Sequence, residues 1–324
     1  MQFKTNITLT PFHQQITHQQ NIFCIGSCFA HVMGLKMQEA KFKVINNPFG
    51  TIYNPLSIID LLNFSIDQNF PESESYVQNQ GLIYNYYMHG DISDLSYDNM
   101  EKKVIKTIEN SHHQLKISDW LMITLGTAFV YLKKYSHTIV ANCHKVPAGE
   151  FERRMLKIPE ITEAFDNFLK KLKNFNPGIR IIITVSPVRH LRDGLPQNSV
   201  SKATLRLACQ HLVETYDFID YFPSFEFMLD DLRDYRFYGD DLVHPSKMAE
   251  EYIWQNFQHR YMHEETRQLI KEWSKIVQAL NHRPYYPNSP QHQDFLRKTI
   301  EKLYQFKNKL DVHNELGKLK KQLI

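Results

Sequence analysis

Short apolar runs alternate with segments of helical periodicity along most of this chain. Asn21 to Ile25 is a continuous apolar run, and from Phe29 to Ala40 the apolar positions recur every three or four residues, which predicts a strand and then a helix. The same analysis predicts further strands at 43–45, 120–125, 138–141, 179–185 and 217–222, and helices at 104–115, 159–172 and 201–216. Apolar strands separated by helices predict an α/β fold: a parallel sheet with helices on both faces, forming three α/β/α layers.

The pattern changes near Arg260. Residues 263–280 and 290–322 show helical periodicity without intervening strands. We therefore predict a main domain over residues 1–262 and a C-terminal helical extension over residues 263–324.

Several glycines and polar residues directly follow predicted strands. In a parallel sheet the carboxyl ends of the strands share one edge, and ligands bind there. The residues that the sequence places at this edge are Gly26, Ser27, Gly50, Gly126, Thr127, Arg189 and His190. We expect a functional site among them.

Ser27 is the candidate nucleophile. It lies between a predicted strand and a predicted helix, where its hydroxyl can stand at the strand end beside the first N–H groups of the helix. A serine attacks an ester only when a base removes its proton and donors stabilise the oxyanion. A serine at this place can equally act as a helix N-cap, so Ser27 alone leaves both interpretations open.

Asp241 and His244 form the candidate base. Three residues apart on a turn, the carboxylate can hold the imidazole in the tautomer that accepts a proton. Asp241 could instead cap the helix that begins near Pro245. Together with Ser27, however, the pair completes a nucleophile and its base.

Several stretches of the chain resemble a known family. Residues 26–30 read GSCFA, and the sequence is similar to the GSCFA domain family, which belongs with the SGNH/GDSL-like hydrolases. Further stretches that resemble this family are 47–50 with 53–55, 125–128, 141–145, 185–190 and 233–238. The resemblance covers residues 20 to 258 and leaves the C-terminal helices aside.

The resemblance implies roles for individual residues. Ser27 matches the nucleophile, Asp241 and His244 match the Asp-x-x-His block, and Gly50 fits the glycine whose amide, with that of Ser27, forms the oxyanion hole. The family's usual Gly-x-Asn-Asp block falls at residues 126–129, where the asparagine is absent. We expect the amide of Asn142 or the hydroxyl of Thr127 to replace that donor.

Three further residues are candidates for substrate binding. Arg189 and His190 follow a predicted strand, although both could serve as structural partners of nearby carboxylates. His89 lies within the polar stretch 66–100, which is predicted to be a long loop or lid.

Composition narrows the classes of protein. The formal charge of +3 is too small to indicate nucleic-acid binding, and no stretch reaches the length of a membrane span. Four scattered cysteines without a leader-like N-terminus favour reduced thiols in the cytoplasm. The sixteen histidines form no metal-binding spacing, so we predict neither a metal nor a cofactor.

The predicted activity is hydrolysis of a small-molecule or carbohydrate ester, such as O-deacetylation, through an acyl-Ser27 intermediate. Two alternatives stay open. The same triad could transfer the acyl group to a sugar hydroxyl, or the chain could be a non-catalytic binding domain on a hydrolase fold, which the missing asparagine favours.

Overall fold

A five-stranded sheet forms the core of the computed structural model, which describes residues 5–324. The strands are β1 Asn21–Gly26, β2 Lys43–Asn46, β3 Tyr76–Asn79, β4 Leu82–Asn85, β5 Trp120–Leu125, β6 Phe129–Lys133, β7 Ile139–Val140, β8 Phe151–Met155, β9 Arg180–Val185 and β10 Ile219–Tyr221. The central sheet has the order β10-β9-β5-β1-β2, and its β1–β5, β5–β9 and β9–β10 pairings are parallel.

The helices follow the strands in the predicted alternation. They are α1 Cys28–Glu39, α2 Pro55–Asp67, α3 Tyr97–Ile117, α4 Ile158–Phe175, α5 Gly194–Thr215, α6 Ser224–Glu226, α7 Lys247–Tyr261, α8 Glu264–Leu280, α9 Pro290–Phe306 and α10 His313–Lys320. This arrangement confirms the α/β/α class and the C-terminal helices.

Both faces of the central sheet are covered. Phe23 and Ile25 of β1 point to one face and pack into a core with α2, α3, α4 and α5. Ile22 and Cys24 point to the other face and are equally buried. Burial on both faces explains why these strands read as continuous apolar runs rather than alternating ones.

The stretch 66–100 is a correction to the sequence analysis. Instead of a long loop, it contains the antiparallel β3–β4 hairpin and the start of α3. Asn85, Tyr86 and Met88, just beyond the hairpin, are buried, so this stretch packs as part of the fold.

Two more features were missed by the sequence analysis. The first is α2, although its signals are present: the side chain of Asn54 caps it, and Pro55 occupies its first turn. The second is the small antiparallel sheet β7-β6-β8, of which the sequence analysis found β7 alone.

The chain forms two compact units. One comprises residues 5–8 together with residues 21–35 and 44–255, and holds the central sheet. The other is discontinuous, formed by residues 9–20, 36–43 and 256–324. The division predicted at residue 262 stays a prediction.

The second unit has its own apolar core. Trp273 is buried there with residues of α9 and α10, and its indole N–H donates to the carbonyl of Glu39 at 2.8 Å. Lys41 pairs with Glu315 at 2.7 Å. None of the helices in the described part of the chain is long and apolar enough to cross a membrane.

Candidate active site

Ser27 occupies the sharp turn from β1 into α1. A Cβ added to Gly26 would lie 2.2 Å from the carbonyl oxygen of Thr124, so this turn requires a glycine before the serine. The Ser27 hydroxyl oxygen accepts the Phe29 N–H at 3.3 Å, which is the contact of a helix N-cap. The whole residue is buried. Ser27 therefore caps α1, and a substrate could reach its hydroxyl only after some rearrangement.

The structure brings Asp241 and His244 together. One carboxylate oxygen of Asp241 lies 2.6 Å from Nδ1 of His244, and the other accepts the N–H groups of Val243 and His244 at 2.9 and 3.0 Å. The His244 backbone N–H first, and its imidazole second, lower the pKa of Asp241 to about 2. Because the carboxylate stays ionised at neutral pH, it holds the proton on Nδ1 and leaves Nε2 free to accept one.

Charges of the Asp241–His244 loop act on Cys28, the neighbour of Ser27, and on His190. After burial, the charges of Lys202 and then His244 contribute to lowering the pKa of His190. Burial likewise raises the pKa of Cys28, and Asp241 contributes to the same shift. Within residues 5–324, however, no hydrogen bond joins the Ser27 hydroxyl to the His244 imidazole, whose side chain is 52% exposed. The predicted contact between Ser27 and His244 is thus not formed among the described residues, and the triad stays a prediction.

The two predicted backbone donors already have partners. The N–H of Ser27 donates to the carbonyl of Thr124 at 3.0 Å, and the N–H of Gly50 donates to the carbonyl of Asn47 at 2.8 Å. An oxyanion would have to share or displace these bonds in order to use either donor.

The two predicted side-chain donors differ. The Thr127 hydroxyl lies 3.1 Å from the Ser201 hydroxyl and also accepts the Phe129 N–H. The Oδ1 of Asn142 accepts the N–H of His144 at 2.9 Å, while its Nδ2 has no hydrogen-bond partner among the described residues. Asn142 therefore retains a free donor, and Thr127 is held within the protein.

His89 lies against the predicted oxyanion loop. Its N–H donates to the carbonyl of Phe49 at 3.0 Å, and a Cβ added to Gly50 would lie 2.2 Å from the Cβ of His89. Its Nδ1 lies 3.1 Å from a carboxylate oxygen of Asp91. The glycine at position 50 is what allows the His89 segment to approach this closely.

Arg189 contacts the loop that carries His244. Its guanidinium carbon stacks 3.8 Å from the ring centre of Tyr238 and its Nη1 donates to the carbonyl of Leu242 at 3.2 Å. Its backbone N–H donates to the carbonyl of Val243, also at 3.2 Å. The φ of +56° at Leu242 is unusual for a branched side chain, so these bonds fix a strained turn.

His190 is held by Tyr53 and Asn198. The ring of Tyr53 meets it edge-on at 5.4 Å, and its backbone N–H donates to the side chain of Asn198 at 2.9 Å. Its Nε2 is buried without a hydrogen-bond partner. Burial, with the charge of Lys202 as the next cause, lowers its pKa to about 3. His190 is therefore a neutral imidazole at physiological pH.

The sequence analysis missed Lys202. Its ammonium group is buried and donates to the carbonyls of Gly126 and Ser186 at 2.7 and 2.8 Å, linking the ends of β5 and β9. Burial lowers its pKa to about 7. In the sequence, Lys202 lies at helical spacing from the apolar residues Leu205 and Cys209, and this spacing could have predicted that it faces the core.

The described residues contain no candidate metal cluster, and a sizeable cavity lies away from the predicted triad. Across residues 5–324, no group of three His, Cys, Asp or Glu side chains could hold a metal ion. A cavity of about 540 Å³ lies instead between α2, the hairpin and β6–β7. None of Ser27, Asp241 and His244 lines that cavity.

The protein is an α/β protein with a parallel central sheet, in which Ser27 directly follows the first strand. The chain belongs to the GSCFA family, whose model matches residues 21–257. A second model, the C-terminal domain of GSCFA domain proteins, matches residues 273–324. No curated protein matches the chain.

Solved structures offer distant similarities. A carbohydrate esterase family 3 protein from Talaromyces cellulolyticus is 10% identical, with a TM-score of 0.35 over 78% of this chain and 99% of the other. An acetyl xylan esterase from Butyrivibrio proteoclasticus is 10% identical, with a TM-score of 0.37 over 75% of this chain and 63% of the other. These scores are too low to carry an argument about function.

Proposed function

We propose that this protein is a serine-dependent ester hydrolase that removes an acyl group, such as acetyl, from a carbohydrate. The observation that carries the proposal is the Asp241–His244 pair. Its 2.6 Å contact, together with the two backbone bonds to Asp241, holds the imidazole in the tautomer that leaves Nε2 able to accept a proton. An exposed Asp–His pair of this geometry is what a general base needs.

The proposed reaction has two steps. Ser27 Oγ attacks the ester carbonyl carbon while His244 Nε2 takes the hydroxyl proton; the alcohol then leaves with that proton, and the acyl group remains on Ser27. In the second step His244 takes a proton from water as the water oxygen attacks the acyl carbon; the bond from that carbon to Ser27 Oγ then breaks, Ser27 recovers a proton from His244, and the carboxylic acid is released. Catalytic hydrogen bonds are often long in free enzymes, so the Ser27–His244 contact would form with bound substrate.

Stabilisation of the oxyanion is the demanding part of this proposal. We propose that the N–H groups of Ser27 and Gly50 turn from Thr124 and Asn47 to the oxyanion when substrate binds. Each such donor is worth about 10²–10³-fold in turnover. The earlier alternatives, Asn142 and Thr127, remain predictions, and the engaged hydroxyl of Thr127 makes it the weaker of the two.

A fluorophosphonate probe tests the proposed function directly. We expect the probe to label Ser27, detected by mass spectrometry of the intact protein and its peptides. Ser27→Ala should abolish labelling and ester hydrolysis, whereas Ser65→Ala, a matched buried serine on α2, should retain both. Wild-type turnover in Ser27→Ala with loss in Cys28→Ala would instead assign the nucleophile to the thiol.

A non-catalytic binding domain is the second candidate. It is favoured by the buried Ser27 and by the intramolecular bonds of the Ser27 and Gly50 amides. The same experiment separates the two, because an inert serine does not react with a fluorophosphonate. Absence of labelling, with no hydrolysis across a panel of acetyl esters, would support the binding domain.

A further inference from the structure

Asn142 has a free donor and His144 a free acceptor, and both nitrogens lie beside Gly90. The Nε2 of His144 lies 2.8 Å from the carbonyl of Asn85 and so must carry its hydrogen, which leaves Nδ1 as an acceptor. The Oδ1 of Asn142 accepts the His144 N–H, which fixes the amide so that Nδ2 remains a donor. Nδ1 is buried and has no hydrogen-bond partner.

The surrounding structure holds this pair firmly. His144 is 5% exposed, the ring of Tyr84 stacks on it at 4.7 Å, and Asn79 donates to its carbonyl at 2.7 Å. His144 and Lys145 both adopt left-handed backbone conformations, with φ of +49° and +58°. Two consecutive strained residues cost free energy, and such strain is retained mainly at functional sites. An unpaired buried nitrogen adds a further cost unless a ligand satisfies it.

Gly90 lies next to the two nitrogens. A Cβ added there would lie 4.0 Å from both Asn142 Nδ2 and His144 Nδ1, and no third atom outside its chain neighbours comes within 4 Å. Gly90 has no side chain, so a slight shift of its backbone lets a small group reach the two nitrogens. His89, the residue before Gly90, packs against Gly50, so the niche adjoins the predicted oxyanion loop.

We propose that Asn142 Nδ2 and His144 Nδ1 together bind a hydroxyl group of the substrate. A hydroxyl accepts one hydrogen bond and donates another, which matches this donor and acceptor, whereas a carbonyl or an ether oxygen satisfies only the amide. The inference rests on the proposed function and narrows its substrate to esters of polyols that keep a free hydroxyl near the acyl group. It gives Asn142 a role in recognition rather than in the oxyanion hole.

A matched pair of ligands tests the inference. One is a monoacetylated methyl xyloside with its other hydroxyls free, and the other is the same compound with those hydroxyls O-methylated. Binding is measured by NMR titration to Ser27→Ala, which cannot form the acyl intermediate. We expect the free-hydroxyl ester to bind about tenfold more tightly, the value of one or two neutral hydrogen bonds.

Two glycine substitutions supply the variant and its control. Gly90→Ala in the Ser27→Ala background should remove the preference, because its methyl group would fill the niche at an ordinary contact distance and leave the fold intact. Gly149→Ala is the matched control, since a Cβ there meets nothing within 4 Å, and it should keep the preference. Circular dichroism and thermal melts check that both variants fold.

The outcomes separate this inference from the proposed function. Equal affinity for the two esters, or no binding of either, would overturn the hydroxyl site, whereas turnover by the wild-type protein reports on the hydrolase itself. If Asn142→Ala lowers turnover of both esters equally and leaves their relative affinity unchanged, the amide is an oxyanion donor and the inference is wrong.

Discussion

At the scale of single residues, Asp241 and His244 contribute unequally to the proposed reaction. His244→Ala should slow ester hydrolysis by about 10²–10⁴-fold, because it removes the base. Asp241→Asn should cost less, since an asparagine oxygen can still accept the N–H groups of Val243 and His244 that shape the loop. Steady-state kcat on an acetyl ester measures both.

The neighbouring carboxylate provides the control for this comparison. Asp240 is exposed one position earlier, so Asp240→Asn makes the same chemical change beside the pair. It should leave kcat within about twofold of wild type. Equal losses in Asp241→Asn and His244→Ala, or no loss in either, would contradict the assigned roles.

At the scale of structural elements, Arg189 holds the conformation of the Asp241–His244 loop. Lysine cannot both stack on Tyr238 and reach the Leu242 carbonyl with a planar group. Arg189→Lys should therefore lower kcat about 3–30-fold with little change in KM, corresponding to the loss of about 0.5–2 kcal/mol of cation–π attraction. As a positioning effect, it should also broaden the His244 imidazole signals in NMR spectra.

Arg192→Lys is the matched control, because this exposed arginine stacks on Tyr131 rather than on the loop. It should leave kcat and the imidazole signals unchanged. A large rise in KM in Arg189→Lys at constant kcat would instead indicate that Arg189 binds substrate.

Lys202 links the ends of β5 and β9, and its protonation should affect stability. Its native pKa of about 7 lies below the unfolded value of 10.5, so between these values the unfolded chain binds more protons. The free energy of unfolding therefore rises with pH in this window. Lys202→Met should have a lower free energy of unfolding, and this energy should not rise with pH. The difference in unfolding free energy between wild type and variant should therefore grow by about 1–3 kcal/mol from pH 7 to pH 9.

Urea denaturation across that pH range measures the effect. Lys102→Met, an exposed lysine on α3, provides the control and should follow the wild-type curve. If the difference in unfolding free energy between wild type and Lys202→Met stays constant with pH, Lys202 is charged in the native protein throughout the range.

The central sheet could be predicted from the sequence, whereas much of the site's surroundings could not. Buried strands such as Trp120–Leu125 are continuous apolar runs, which are readily recognised. β8 carries three consecutive charged residues, of which Arg153 stacks on the ring of Phe129, so its strand signal was weak. β6 is a largely apolar run of only five residues and was overlooked. The niche of Asn142 and His144 depends on bonds to distant residues, Asn79 and Asn85, which no local pattern reveals.

At the scale of the whole molecule, the discontinuous second unit bears on the predicted boundary at residue 262. A fragment of residues 1–262 would keep Glu39 and Lys41 but lose their partners Trp273 and Glu315. We expect this fragment to be poorly soluble or to unfold without a cooperative transition, as followed by circular dichroism in urea. A soluble fragment with a single sharp transition would show that residues 1–262 form an independent domain.

The discontinuity of that unit also has a consequence during synthesis. Residues 9–20 and 36–43 leave the ribosome early, but residues 256–324, with which they form the unit, follow more than 200 residues later. At about 5–20 residues per second, this leaves the early segments waiting for many seconds. Met37 and Phe42, both buried in the finished protein, are then exposed on the nascent chain, where they are natural binding sites for chaperones. Stalled nascent chains should accordingly be cleaved by protease near these residues until the last helices have emerged.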